Sequence, residues 1–221
     1  MTKLKTLLAL AMMLVALPTL AAEPDDAVDG RHFGVRVQYE MNTSTKYSHM
    51  FHMGPGFAVG ANYYAPFANR FYFNTELMLG YDTFGYRGDL ENKYNKRHFD
   101  GKLKNINLRL PLEFGFKFVQ NRHLLLSAYT GPDIIFNFKV KADYTETRPS
   151  GSEKVSKDYT NGGAELCWTL GIGADINRHW HAHVQGSLGL TSLCDTDDLA
   201  NGPDGASFKR AEFAIGIGYN F

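Results

Sequence analysis

From residue 32 to residue 221, apolar and polar positions alternate with a period of two in eight separate stretches. The cleanest is 105–119. Ile106, Leu108, Leu110, Leu112, Phe114, Phe116 and Phe118 share one parity, and Asn105, Asn107, Arg109, Glu113 and Lys117 share the other. A helix would mix these residues around its axis, whereas an extended strand sends them to opposite faces. The same separation marks 32–40, 51–63, 71–82, 123–138, 164–177, 180–192 and 210–221 as strands. In 51–63 it places Phe51, Met53, Phe57, Val59 and Tyr63 together, opposite His52, Gly54, Gly56, Gly60 and Asn62.

The connections alternate as well. Those near Ala65–Arg70, at Gln120-Asn121-Arg122 and at Arg178-His179 are short; those at 41–50, 83–102, 139–163 and 193–209 are longer and polar. Strict alternation of short and long links is the pattern of an up-and-down antiparallel barrel in an outer membrane, with short periplasmic turns, long extracellular loops and both termini in the periplasm. The fold expected is therefore all-β: a closed antiparallel up-and-down transmembrane β-barrel of eight strands, with 32–40 pairing with 210–221 to close it.

Alternation alone does not say which face points outward, because a soluble ligand-binding barrel turns the same apolar face inward. Three features favour lipid outside. Aromatic residues collect near both ends of the apolar face: Phe33, Tyr63, Phe71, Phe118, Trp180, Tyr219 and Phe221 towards the short turns, and Tyr39, Phe51, Tyr81, Phe138 and Trp168 towards the long links. Two such girdles mark two membrane interfaces. The polar face combines glycine with charges of both signs, and the chain ends on an alternating strand whose last residue is Phe221.

The N-terminus fits export. Lys3 and Lys5 precede an apolar run from Leu7 to Leu17, Pro18 interrupts it, and Thr19-Leu20-Ala21 or Leu20-Ala21-Ala22 offers small residues for cleavage. That run is shorter than the ~20 residues a membrane helix needs. We read 1–22 as a signal peptide, 23–31 as an N-terminal periplasmic segment and 32–221 as the barrel domain. Composition agrees: aromatics are 14% of the 221 residues, and 23 basic residues balance 23 acidic ones, which removes the basic excess of a nucleic-acid binder.

The segment INLRLPLEFGFKF (Ile106 to Phe118) resembles the strand with a central proline, here Pro111, found in the outer-membrane β-barrel (porin-like) family of Bacteroidetes type. LSAYTGPDIIF (Leu126 to Phe136), the glycine-rich Leu170-Gly171-Ile172-Gly173-Ala174 and the closing Ile215-Gly216-Ile217-Gly218-Tyr219-Asn220-Phe221 extend the resemblance over nearly all of the mature chain. It implies a fold and a location, and brings no catalytic residues with it. Pro111 lacks a ladder donor, so a bulge or a broken ladder is expected there.

Arg36, Glu40, Glu76, Arg109, Glu113, Lys117, Asp133, Glu165, Asp175, Arg210 and Glu212 all fall on the polar face. A barrel of eight strands has room inside only for side chains, so these charges are expected to fill the lumen as an ion-pair network. His181 and His183 share that face, next to His179, and their spacing alone demands no metal. Cys167 falls opposite about Leu190, and Cys194 is some four residues further on, so both thiols are read as unpaired. Ser187 also faces the lumen, and the lipid face carries no Ser/His/acid set.

These features lead to a non-enzymatic, monomeric outer-membrane protein with no cofactor, no metal and no nucleic-acid partner. Its expected contacts are outer-membrane lipid, the barrel-assembly machinery through the strand ending at Phe221, and an unspecified partner at the long loops. A narrow porin-like channel and a lipid-modifying enzyme are the alternatives. Two substitutions follow from the strand faces: Arg at Leu112 should be costly, and Leu at Asn107 much less so.

Overall fold

The computed structural model describes residues 30–45, 51–92, 95–121, 123–159, 163–177, 179–192 and 209–221. Residues 1–22, on which the signal-peptide reading falls, most of 23–31, parts of the links 41–50 and 193–209, Arg178 and Cys194 lie outside them. Ten strands follow one another among the described residues: β1 (His32–Ser44), β2 (Phe51–His52), β3 (Gly54–Ala68), β4 (Phe71–Asn92), β5 (Asn95–Gln120), β6 (Leu124–Arg148), β7 (Gly151–Tyr159), β8 (Ala164–Ile176), β9 (Trp180–Gly189) and β10 (Arg210–Asn220).

Eight of these close a ring in the order β1, β3, β4, β5, β6, β8, β9, β10 and back to β1, each pair antiparallel. The seam runs from Gly34 opposite Asn220 to Ser44 opposite Arg210, as the closure of 32–40 on 210–221 requires. β2 continues the line of β3 against β4, and among the described residues β7 pairs with β6 alone.

The two faces settle the question that alternation left open. Leu77, Leu79, Phe114, Leu170, Ile172, Ile215 and Ile217 are exposed on the outside, while Arg109, Arg210, Glu40, Glu165, Asn105 and Asn107 are buried inside. The arrangement inverts that of a soluble protein. An apolar band on this scale far exceeds the few hundred Å² a soluble monomer tolerates, and lipid is the solvent that suits it. All eleven charges assigned to the polar face turn inward, Asp175 being half-buried and the others buried.

At the short-turn end the chain reverses tightly. β3 and β4 are separated by Asn69 and Arg70 alone. Asn121 Oδ1 accepts the backbone N–H groups of His123 and Leu124, giving the β5–β6 turn its own local hydrogen bonds. Asn177 takes φ 50° at the β8–β9 turn, the left-handed conformation that asparagine tolerates best after glycine.

The structure corrects the sequence reading in three places. Residues 83–102 and 139–163 are not simple loops. β4, β5 and β6 run on for 22, 26 and 25 residues, against the roughly 9–11 that a membrane strand needs. The two links are thus long β-hairpins, the second completed by β7. Phe51 does not belong to the outer girdle. Phe51 pairs with Tyr86 while Gly56 pairs with Asp82, so the register slips by one residue between them, and Phe51 turns inside at 3% exposure. One extra residue reverses every side chain beyond it. The third correction concerns Asn107, which lies at the centre of the lumen network described below rather than at a dispensable strand end.

Around Pro111 the ladder is interrupted on both sides. Pairing with β6 skips from Pro111–Asp133 to Phe114–Thr130, and pairing with β4 skips from Thr75–Leu112 to Met78–Arg109. The break expected from the missing N–H is there, and Pro132 of the facing strand falls within the skipped stretch.

Candidate functional site

The lumen is the largest concentration of polar chemistry in the molecule, and it is filled in layers. Nearest the short turns, Tyr64, Tyr72 and Tyr129 form a buried cluster. Tyr64 and Tyr72 stack at 4.7 Å, and the Tyr72 and Tyr129 hydroxyls donate to Ser127 Oγ at 2.9 Å and Gln185 Oε1 at 3.0 Å. The Tyr72 ring lies over Gly115, where a Cβ would collide with it, so glycine in this strand makes room for an aromatic from its neighbour.

Acids and histidines line the same small cavity as these tyrosines. Asn74 Nδ2 donates to Glu76 at 3.1 Å and to Glu113 at 2.8 Å. Arg36 donates to Asn220 Oδ1 at 2.8 Å and lies 3.7 Å from Glu76. His181 Nδ1 is 2.8 Å from Asp175 Oδ1, and His183 Nε2 is 3.2 Å from Gln38 Oε1. Glu113 therefore has an amide as its direct partner, not the base that charge pairing along the strand face would suggest.

Above this, two guanidiniums are shared among four carboxylates. Arg109 donates to Glu40 at 2.8 Å, to Glu212 at 2.8 Å and to Asp82 at 3.0 Å. Arg210 donates to Asp82 at 2.6 Å and to Glu165 at 3.2 Å. Asn107 donates to Asp82 at 2.5 Å and accepts from Arg109 Nε at 3.2 Å. These groups come from β1, β4, β5, β8 and β10, so the network ties opposite walls of the ring together. A charge buried this deeply is tolerable only where partners and hydrogen bonds replace its water.

Over the network lies an apolar plug. Phe51, Phe84, Tyr86, Phe99, Leu103, Val140, Ala142 and Tyr144 form one buried cluster inside the two long hairpins. The Arg210 guanidinium sits 5.2 Å from the centre of the Phe84 ring, which joins plug to network through a cation–π contact. The plug was not foreseen from the sequence. Its trace was there, in the period-two spacing of Phe84 with Tyr86 and of Val140, Ala142 and Tyr144 across stretches read as polar loops.

The family model for the outer membrane protein beta-barrel domain matches residues 7–221. The chain belongs to this family. Membership implies the outer membrane, and the inverted faces of the ring agree with it. Several solved outer-membrane proteins are similar at low identity. The attachment invasion locus protein Ail of Yersinia pestis is 15% identical, with 87% of this chain and 100% of that one covered and a TM-score of 0.43. Neisserial surface protein A is 11% identical over 87% of this chain and 100% of its own, with a TM-score of 0.40. OprG of Pseudomonas aeruginosa is 13% identical over 87% and 96%, with a TM-score of 0.40. A search of curated proteins finds none that matches the chain.

In this outer-membrane barrel the remaining candidate residues are dispersed. His179 Nδ1 lies 3.0 Å from the Asn220 carbonyl, apart from the His181–His183 pair. Ser187 shares a hydrogen bond of 2.7 Å with Thr169. Cys167 faces the lumen at 0% exposure, opposite Gly189, one residue from the register expected. The described residues bring together no group of three or more His, Cys, Asp or Glu side chains able to hold a metal ion.

The outer surface of the long hairpins carries a second cluster of charge. Asp143 accepts from Lys104 Nζ and from Ser156 Oγ, both at 2.8 Å, and Lys141 Nζ lies 3.3 Å away. The hydrogen bond from Lys104, followed by that from Ser156, holds the Asp143 carboxyl down at about 2. Lys102 and Lys154 line the same open groove, whose volume is about 490 Å³.

Proposed function

We propose that the protein is a non-enzymatic outer-membrane barrel whose lumen is a structural core and whose long hairpins provide its working surface on the cell exterior. The observation that carries this reading is the filling of the lumen. The Arg109–Arg210 network and the apolar plug above it occupy the space a solute would need, and both are built from side chains with partners on several strands. Residues 1–22 serve as a cleaved signal peptide and 23–31 as a short periplasmic lead. The porin-like family of Bacteroidetes type is the subgroup suggested by the Ile106–Phe118 and Leu126–Phe136 segments. The barrel works as a monomer, and its assembly machinery engages the last strand, where Tyr219 and the exposed Phe221 pack edge to face on the outer surface.

The test is electrical and chemical. The purified full chain, refolded into a planar bilayer, is expected to give no steady conductance. Outer-membrane lipid from cells expressing it should show no new acylation or deacylation product by mass spectrometry. Stepwise conductance would replace this reading with the narrow channel, and an altered lipid with the enzyme.

A further inference from the structure

The position of the lysine cluster relative to the apolar belt points to a ligand. On β5 the outward-facing positions beyond Ile106 are Lys104 and Lys102. On β6 they are Lys139 and Lys141, directly beyond Phe138. A bulge creates the second arrangement. Ile106 pairs with Lys139 but Asn107 with Asn137, so β6 holds one extra residue, and Phe138 and Lys139 both turn outward. The last apolar side chain and the first lysine are thus adjacent on the outer wall. At about 3.3 Å per residue and a tilt near 40°, positions two to four residues past the belt stand roughly 5–10 Å above the hydrocarbon boundary. That is the level of lipid headgroups. The opposite flank differs: beyond Tyr39 and Phe57 the outward positions are Met41, Thr43 and Pro55, and none is charged.

We propose that this flank of β5, β6 and β7 binds the phosphate groups of a phosphorylated glycolipid in the outer leaflet. Lys102, Lys104, Lys141 and Lys154 border the groove of about 490 Å³. Asp143 bridges Lys104 and Lys141 and fixes their ammonium groups side by side. Asp143 is shared by Lys104 and Lys141, and the groove's other carboxylate, Asp100, is paired with Arg87, so the four lysines outnumber the acceptors around them; phosphate oxygens are the acceptors available at this height. The acyl chains of the same molecule would lie along the exposed apolar wall below, against Ile106 and Phe138. The proposal rests on the exterior placement of the hairpins given above, since the reverse orientation would present the lysines to the inner leaflet.

Native mass spectrometry of the full chain in detergent, titrated with lipid A or with chemically dephosphorylated lipid A, tests it. The unmodified protein is expected to bind the phosphorylated form at least about ten-fold more tightly, given the contribution of each lysine near an anionic surface. The variant K102Q/K104Q/K141Q/K154Q should lose that preference. K157Q, a change on the other face of β7, should keep it. K102Q and K154Q singly, which leave the Asp143 bridges intact, should each weaken binding several-fold, so the result does not depend on the quadruple variant folding. Equal binding of the two lipids, an unchanged preference in the lysine variants, or displacement of lipid A by millimolar inorganic phosphate would overturn the proposal. Orientation is read separately by labelling Ser152→Cys on intact cells. An unlabelled tip removes the outer-leaflet assignment, whereas a labelled tip with no lipid preference removes the phosphate site alone.

Discussion

Arg109 shows how much a single side chain can carry inside the ring. Its guanidinium meets carboxylates from β1, β4 and β10 and is 1% exposed. Removing it leaves Glu40, Asp82 and Glu212 facing one another without their shared cation. Arg109→Met should therefore lower stability by about 3–5 kcal/mol, the usual cost of breaking a buried pair from one side. Adding Glu40→Gln should recover part of that loss. Urea unfolding in lipid vesicles can follow both, because Trp168 and Trp180 lie on the lipid face and report insertion. A single variant as stable as the parent would show that the network is not what holds the walls. At the outer rim, Asp143 behaves differently. Its carboxyl is held at about 2, first by Lys104, below the usual aspartate value near 3.9. Its ion-pair contribution is therefore complete above that ordinary value and disappears as pH falls through about 2. A carboxyl-selective NMR titration should find this midpoint, and Lys104→Met should move it back up. Residue parity along the sequence was enough to send both arginines inward. It could not name their partners, because those lie up to 168 positions away along the chain.

Among the elements, the eight spanning strands were legible because each carries the period-two signal where it matters, across the lipid belt. What escaped was set by single residues. The extra residue that turns Phe51 inward and the bulge that turns Phe138 and Lys139 outward together leave no mark on composition. The hairpin extensions escaped because the outer faces of β4, β5 and β6 beyond the belt are polar while the inner faces carry the plug, so they read as mixed loops. The contrast between Leu112 and Asn107 is also redrawn. Leu112 lies mid-strand on the outer face, between the girdles, and Leu112→Arg should cost about 2–4 kcal/mol near the bilayer midplane. Asn107 is fully buried between Asp82 and Arg109, so Asn107→Leu should cost a comparable amount by stranding both partners, not the small amount that a strand-end position suggests. Leu112→Val, which keeps the lipid contact, is the appropriate neutral control. Matching urea midpoints for Leu112→Arg and Leu112→Val would mean that this face does not meet lipid.

For the whole molecule, closure, inversion of the faces and direction of insertion are distinct properties. The seam of β1 with β10 establishes closure, and the apolar exterior around a charged interior establishes inversion. Direction rests on the asymmetry of the two ends. At one end the strands reverse in tight turns at Asn69–Arg70, Asn121 and Asn177; at the other, β4, β5, β6 and β7 project well past the belt. Translocating a short polar turn across the membrane is not what assembly requires if the chain arrives from the periplasm with its termini remaining there; the long hairpins must then be the parts carried across. Two cysteine substitutions read this directly, in a background where Cys194 is replaced by serine and Cys167 stays hidden in the lumen wall at 0% exposure. Ser152→Cys, at the exposed end of the β6–β7 hairpin, should react with a membrane-impermeant maleimide on intact cells. Asn121→Cys, at the exposed β5–β6 turn, should react only after the outer membrane is permeabilised. The reverse pattern would keep the ring and its filled lumen and invert the barrel in the membrane, placing the hairpins and their lysines in the periplasm.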